Sequence, residues 1–176
     1  MKKSALKISF AALAACVICI CSWIAIPIGG VPMTLQTFGV AFCSFLLGTR
    51  AGVSATAVYL ALGAVGLPVF AGFGGSIAFL FGPTGGFLAG FLFLALFCGS
   101  AAFVKKKTFA FALSAAGLIL CHLPGVLWFS YVSCISPAQA FLVASLPYLI
   151  KDALSLVLAY WLNGKIRKRL KRNFYG

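Results

Sequence analysis

The chain has 176 residues, of which 63% are hydrophobic and 9% are charged, and its formal net charge is +13. A water-soluble domain of this length exposes far more polar surface, so the composition excludes an ordinary soluble protein and indicates that lipid covers most of the surface. The basic residues cluster at the ends of apolar segments without interleaved aromatic residues, which favours contact with anionic lipid head groups over a nucleic-acid partner.

Six apolar segments, separated by charges or by clusters of proline and glycine, are candidate membrane spans. A helix needs about 20 mostly apolar residues to cross a hydrocarbon core of about 30 Å. The second and third segments are short for this distance, so we expect them to be tilted, broken or partly below the membrane surface. In chain order the segments cover approximately residues 8–26, 34–48, 52–67, 84–104, 108–131 and 141–162.

The basic residues give these segments one orientation, because lysine and arginine prefer cytoplasmic flanks. With six spans, every basic residue except Lys151 falls on one side, together with both termini. We therefore predict an all-α integral membrane protein with six transmembrane helices and cytoplasmic termini. Residues 1–176 would form a single membrane domain, and residues 165–176 a basic cytoplasmic tail against anionic lipids. The bases on the predicted cytoplasmic side are Lys2, Lys3, Lys7, Arg50, Lys105, Lys106, Lys107, Lys165, Arg167, Lys168, Arg169, Lys171 and Arg172.

The N-terminal segment permits two other interpretations. A basic start and an apolar body ending in "LAAC" resemble a lipoprotein signal cleaved before Cys16, but cleavage would leave an odd number of spans and scatter the charges. Cys16 and Cys19 form a C-x-x-C pair within an apolar helix, where cysteines more often act as small packing residues. Since no histidine or carboxylate lies nearby in sequence, we expect no metal site and no cofactor.

The three predicted outer connections, residues 27–34, 68–83 and 132–140, hold most of the unusual residues. Thr34, Gln36 and Thr37 interrupt an otherwise apolar run. Thr34 is a plausible helix N-cap, whereas the amide of Gln36 needs hydrogen-bond partners once buried. The stretch "LPVFAGFGGSIAFLFGPTGGF" is too irregular to face lipid and must fold into the protein or line a wet cavity. Its glycines allow backbone N–H groups to approach a ligand.

Asp152 is the only acidic residue of the chain, and it lies inside the sixth apolar segment beside Lys151. Ionisable residues within a span are costly and usually mark a substrate or ion site. On a helix, Tyr148, Asp152 and Ser155 share one face, and Lys151 is one turn from Ser155. The alternative is a self-neutralising Lys–Asp pair that only holds helices together.

Four motifs in this order resemble the BioY family: "GGVPMTLQTFGV", "YLALGAVGLPVFAG", "GPTGGFLAGF" and "LPYLIKDALSLVLA". These proteins are the biotin-binding S components of energy-coupling factor (ECF) vitamin transporters. The resemblance covers almost the entire chain. It implies six membrane helices in the bacterial cytoplasmic membrane and biotin binding near the outer face. It also implies a separate energy-coupling module of one transmembrane coupling protein and two ATPases, in agreement with the absence of a P-loop motif here.

The resemblance also suggests roles for residues. The family's sixth-helix motif reads Pro-x-x-x-Gly-Asp-x-x-Lys, and this chain has Pro147 and Asp152 in place but Lys151 at the glycine and Ser155 at the lysine. We expect Asp152 to accept N–H bonds from the ureido head of biotin, and either Lys151 or the backbone of residues 72–75 to meet the valerate carboxylate. The resemblance further implies that Ala11 and Ala15 dock the coupling protein. The complete predicted substrate site is Asp152, Lys151, Tyr148, Ser155, Thr34, Gln36, Phe70, Phe73, Gly72, Gly74 and Gly75.

Two other functions stay open at this point. The chain could be an S component for a different vitamin. It could also be a membrane-embedded transferase, but such an enzyme needs an acid–base constellation, and the chain has one aspartate and one histidine. His122, in "CHLPG", is some thirty residues from Asp152, and we expect it to be a hydrogen-bonded packing residue beside a kink at Pro124. We therefore predict no catalytic residues.

Overall fold

The computed structural model of the chain describes the backbone of residues 2–27 and 31–174, and within these the side chains of residues 8–27 and 31–166. The basic residues Lys2, Lys3 and Lys7 and those beyond residue 166 therefore lie outside the described side chains. The architecture of the described part is all-α, with one two-stranded hairpin. The elements are α1 (Lys2–Trp23), β1 (Ala25–Ile26), β2 (Met33–Thr34), α2 (Gln36–Leu47), α3 (Thr49–Ala64), a 3-10 turn (Ala71–Phe73), α4 (Ile77–Phe81), α5 (Gly85–Ala101), α6 (Lys107–Ser133), α7 (Pro137–Ala144) and α8 (Leu146–Phe174).

Each of the six apolar segments corresponds to a helix, with two differences at the ends of the chain. The first helix ends at Trp23, because the chain then extends into β1, which pairs antiparallel with β2. The sixth segment is two helices, since Ser145 leaves helical geometry between α7 and α8 and the two are bent by 51°. A capping box of Ser136 and Gln139, with Pro137 at the first turn, starts α7 earlier than the hydrophobicity indicates.

The helices differ in how well they suit a membrane. Among the described residues, α6 is the helix that is long and apolar enough to cross on its own, and α7 with α8 up to Ile166 qualifies as one bent span. The apolar helices Ile8–Trp23, Gln36–Leu47 and Gly85–Ala101 are shorter. Many large apolar side chains nevertheless face outward, including Leu13, Ile119, Leu123 and Leu154. An exterior of this kind is typical of contact with lipid.

At one end of the bundle, which we call the basic end, the connections are short. Gly48, at φ +84°, joins α2 directly to α3. Gly99 of α5 packs so closely against this turn that a side chain at residue 99 would meet the backbone of Thr49. The exposed Arg50 and Lys105–Lys107 lie at the two turns of this end. The backbones of α2, α3 and α5 therefore pack closely at this end.

The opposite end, which we call the cavity end, consists of the hairpin, residues 65–84 and α7. Trp23 Nε1 donates to the carbonyl of Pro68 at 2.8 Å, and Trp128 Nε1 donates to the carbonyl of Gly82 at 2.9 Å. These bonds attach both ends of the glycine-rich segment to α1 and α6. The Tyr148 hydroxyl donates to the carbonyl of Val31 and so connects the hairpin to α8.

The packing of α5 against α6 depends on glycine. A Cβ at Gly86 would meet the carbonyl of Pro124 and the side chain of Trp128, and one at Gly90 would meet the backbone of Cys121. The lack of side chains therefore allows the two helix backbones to approach closely. This approach brings the middle of α6, including His122, against the interior of the bundle. α6 continues through Pro124, where the sequence predicts a kink.

Candidate ligand-binding site

A cavity of about 440 Å³ lies at the cavity end, between the hairpin, residues 70–84, α5, α6 and α8. Its size lies within the range of about 300–1,000 Å³ that small-molecule sites occupy. Most of its wall is apolar, and its polar groups come from separate helices. The lining residues are Val31, Pro32, Thr34, Gln36, Thr37, Phe70, Ala71, Ser76, Ala78, Phe79, Gly82, Pro83, Thr84, Phe87, Leu88, Phe91, Cys121, His122, Ala144, Tyr148, Lys151 and Asp152.

Asp152 and Lys151 form a buried ion pair in the cavity wall. The Asp152 side chain is 6% exposed and that of Lys151 is 21% exposed. The Lys151 ammonium also donates to the backbone carbonyl of Thr34 at 2.7 Å. Although residue 151 points away from residue 152 on the helix, the long lysine side chain reaches the carboxylate. Each carboxylate oxygen has about two acceptor positions, so the carboxylate retains the capacity to accept from a ligand.

His122 is the second partner of Asp152. Its Nε2 lies 3.2 Å from Asp152 Oδ2, and its Nδ1 lies 2.8 Å from Ser145 Oγ. The edge of its ring faces Phe87, with the ring centroids 5.7 Å apart. His122 is buried and hydrogen-bonded, as expected, and it also lines the cavity. Its separation from Asp152 in sequence gave no indication of this contact, which arises from the close packing of α5 and α6 and from the bend before α8.

Gln36 is held by hydrogen bonds at both ends of its amide. Its Nε2 donates to Ser22 Oγ at 2.9 Å and to the Tyr59 hydroxyl at 2.5 Å, while its Oε1 accepts from Thr34 Oγ1 at 3.0 Å. The expected partners therefore come from α1 and α3. Thr34 is not the N-cap of α2, because Leu35 occupies that position, but its hydroxyl accepts from the backbone N–H of Gln36. This network fixes the start of α2 beside the cavity.

The aromatic residues divide between the wall and the surface. Phe70 is buried, lines the cavity, and packs against Tyr59 and Phe79 with centroids 5.5 Å and 5.8 Å apart. Phe73, by contrast, is 63% exposed and packs on Trp23 at the surface. Phe73 does not line the cavity, because the chain turns sharply at Gly72, with φ +69°, and at Phe73, with φ +58°, and this leaves its side chain on the surface.

Three predicted glycines also lie outside the cavity wall. Gly72, Gly74 and Gly75 do not line it, whereas Ala71 and Ser76 on either side of them do. The Gly74 carbonyl accepts from the N–H of Phe70, and Gly75 packs against the carbonyl of Leu67. These glycines make the segment compact. They do not bring backbone N–H groups to the cavity.

Two further predictions differ from the structure because a neighbouring helix covers the residue. Ser155 is buried, but it lines a separate groove of about 540 Å³ together with Leu35, the N-cap of α2, and Phe38 within α2. It lies one turn beyond Lys151, where α2 packs against α8. Ala15 is 2% exposed within the chain's own core and has no free surface for a docking partner. Ala11 is half-buried.

The sequence gave no indication that several of the lining residues belong to the cavity. Thr84 and Ser76 come from the glycine-rich segment, and Phe87 and Phe91 from α5. Thr37, named in the sequence only as part of a polar run, lies close to the Asp152 carboxylate. Within the described residues no three histidine, cysteine or acidic side chains come together as metal ligands.

Comparison with known proteins agrees with the fold and the cavity. Residues 1–172 match the BioY family. The chain belongs to the BioY family. The biotin transporter BioY of Thermotoga maritima is 41% identical over 150 residues, which cover 84% of this chain and 87% of that protein. The biotin transporter BioY2 of Lactococcus lactis is 37% identical over 154 residues, covering 86% and 85%.

A solved structure gives the same architecture. It is described as the crystal structure of the S-component for biotin from an ECF-type ABC transporter, and it aligns with a TM-score of 0.84 at 26% identity. The alignment covers 95% of this chain and 93% of that one. These relatives are transport proteins of the membrane, so the BioY chain described here is a membrane protein and not an enzyme.

Proposed function

We propose that this BioY protein binds biotin and delivers it across the membrane with a separate ATP-driven energy-coupling module. The observation that carries the proposal is the mostly apolar cavity whose polar wall combines Asp152, Lys151 and His122. Biotin has a flat ureido head with two N–H donors, an apolar thioether ring and a valerate carboxylate. Asp152 is the acceptor for a ureido N–H, and bonds of this charge-assisted kind contribute about 1.5–3 kcal/mol. Phe70, Phe79 and Tyr148 supply the apolar surface for the ring.

The charge distribution of the cavity favours one orientation of the ligand. The ureido ring and the carboxylate are at opposite ends of biotin, so Asp152 and Lys151, which are paired, cannot serve both ends. A carboxylate beside Asp152 would meet a like charge, and Lys151 is already neutralised by Asp152 and bonded to Thr34. The neutral ureido head therefore binds at the Asp152 end. The valerate extends toward the more exposed residues Ser76, Pro83 and Thr84.

A binding measurement tests this function. The full chain, purified in detergent, is titrated calorimetrically with biotin and with a panel of other water-soluble vitamins. We expect saturable binding of biotin alone. Binding of another vitamin instead would identify an S component of different specificity, and binding of none by a folded preparation would refute the proposal.

The membrane arrangement forms part of the same proposal. All six helical segments, with α7 and α8 taken together, cross the bacterial cell membrane as a single domain of residues 1–176 with cytoplasmic termini. Arg50, Lys105–Lys107 and the tail from Lys165 then lie on the cytoplasmic side against anionic lipids, and there is no nucleic-acid partner. Exposed Lys165, whose ammonium lies 3.6 Å from the Trp161 ring centroid, is typical of an interfacial position. Labelling of a cysteine at residue 106 from the outside of intact cells would contradict this arrangement.

The coupling module is proposed to consist of one transmembrane protein and two ATPases. Since Ala15 is buried, docking depends on Ala11 and on the neighbouring exposed face of α1, which includes Ala12 and Cys16. Small residues there permit close approach of a partner helix.

A further inference from the structure

The Ser145 hydroxyl joins two helices through its contact with His122. Three hydroxyls within helices bond to the carbonyl one turn earlier: Thr56 to Gly52 at 2.9 Å, Ser100 to Leu96 at 2.8 Å and Ser114 to Ala110 at 2.8 Å. That local bond is the ordinary behaviour of serine and threonine in helices. Ser145 instead contacts a side chain of another helix, 23 residues away.

The bend between α7 and α8 makes this contact available. Ser145, at φ −126° and ψ −54°, is the residue after α7, and its own N–H still donates to the carbonyl of Phe141. Its carbonyl accepts from the N–H groups of Tyr148 and Leu149 at the start of α8. Both backbone groups are therefore paired locally. The hydroxyl is 0% exposed and directed at His122 Nδ1, and the residue does not line the cavity.

The hydrogen-bond pattern fixes one tautomer of His122. An ionised carboxylate only accepts hydrogen bonds, so Nε2 must carry the proton that faces Asp152. Lys151 already offsets the charge of Asp152, and no second acidic residue exists in the chain to offset an imidazolium. The ring also packs against the apolar Phe87. A neutral imidazole leaves Nδ1 as an acceptor, and the Ser145 hydroxyl donates to it.

We infer that Ser145 is a positioning residue for ligand binding, acting through His122. By donating to Nδ1 it holds the imidazole with Nε2–H on Asp152 Oδ2, and this bond sets the orientation of the carboxylate in the cavity wall. The acceptor position left on the carboxylate then faces the ligand's N–H. The inference rests on the proposed function, because it assigns Ser145 a role in the recognition of the ureido head at Asp152.

A double-mutant cycle tests the inference. Biotin dissociation constants are measured for the detergent-purified full chain and for Ser145→Ala, His122→Phe and the double variant. We expect Ser145→Ala to weaken binding about three- to tenfold, as for the loss of one neutral hydrogen bond. In the His122→Phe background we expect Ser145→Ala to cause no further loss of affinity, because the effects of substitutions at contacting residues that act as a unit do not add. Ser145→Thr restores the hydroxyl and brings affinity to within about twofold of the original.

The matched control is Ser114→Ala, which removes another buried serine hydroxyl that bonds to the carbonyl of Ala110 and does not line the cavity, and which we expect to leave the dissociation constant unchanged. The inference is overturned if Ser145→Ala loses as much affinity in the His122→Phe background as in the unmodified chain, or if Ser145→Ala keeps full affinity. Either result leaves biotin binding itself established. Absence of biotin binding by the unmodified chain refutes the proposed function.

A spectroscopic measurement gives a second test without any ligand. His122 is the only histidine of the chain, so incorporation of ¹⁵N-histidine labels a single imidazole. We expect the nitrogen spectrum of the unmodified protein to show the neutral Nε2–H tautomer with a hydrogen-bonded Nδ1. Ser145→Ala should shift the Nδ1 resonance toward that of a free acceptor. A proton on Nδ1 in the unmodified protein would overturn the inference.

Discussion

The two ends of the helical bundle are held together in different ways. At the basic end, Gly48 joins α2 to α3 without a loop, and Gly99 packs against that turn. At the cavity end the connections are long. There His122 of α6 bonds to Asp152 of α8, and Lys151 of α8 bonds to the backbone carbonyl of Thr34 in β2. Close backbone packing excludes a cavity, whereas side-chain networks can surround one. We therefore expect substitutions at the cavity end to change ligand affinity and substitutions in the basic half of the molecule to leave it unaltered.

The largest expected effect separates transport from binding. Ala11→Trp, in the half of α1 nearer the basic end, should reduce ATP-driven uptake to background, because a large side chain prevents close approach of the coupling protein. Biotin affinity of the purified chain should be unchanged. Uptake into cells and calorimetry measure the two quantities. Ala15→Trp is the contrast, since it overpacks the core and should lower both. Loss of affinity in Ala11→Trp would show that the two ends are not independent.

The next effect concerns the carboxylate itself. Asp152→Asn keeps the size and one acceptor oxygen but removes the charge, so biotin should bind about ten- to a hundredfold more weakly. Asn163→Ala, at a buried residue of the same helix nearer the basic end, should leave affinity unchanged. Calorimetry on monodisperse samples of both variants provides the measurement. Full affinity of Asp152→Asn would eliminate the ligand role of the carboxylate.

Lys151→Met distinguishes the two orientations of the ligand. If the ureido head lies at Asp152, this variant should lose about tenfold in affinity, and biotin and its uncharged amide should be affected equally. If Lys151 instead binds the valerate, the variant should lose its preference for biotin over the amide. The ratio of the two dissociation constants decides between them.

The smallest effects compare glycines at the two ends. Gly86→Ala forces a methyl group against Pro124 and Trp128, and should lower the free energy of unfolding by about 1–3 kcal/mol. Gly164→Ala has no neighbouring atom to meet and should raise it by about 0.5–1 kcal/mol, through helix propensity alone. Thermal unfolding in detergent measures both changes. A stabilised Gly86→Ala would contradict the close packing of α5 and α6.

The sequence predicted some of this organisation well. The six apolar segments, the family and the position of the single carboxylate inside an apolar helix followed from hydrophobicity, motifs and the rarity of acidic residues. The contact of His122 with Asp152 could not be predicted, because it depends on two glycines of α5 and on a bend at Ser145. Helical periodicity placed Ser155 beside Asp152 but gave no information about α2, which covers it. Similarly, the spacing of Ala11 and Ala15 indicates close packing without identifying which helix packs there.

The position of Asp152 on the last long helix has a consequence for biosynthesis. The imidazole of His122, which contacts Asp152, and the carbonyl of Thr34, which accepts from Lys151, belong to parts of the chain that leave the ribosome earlier. Until α8 is made, those groups have no carboxylate or ammonium to meet, and the cavity lacks one wall. The emerging chain therefore cannot hold its ligand, and ligand-dependent stabilisation begins only when the last helix has entered the bundle.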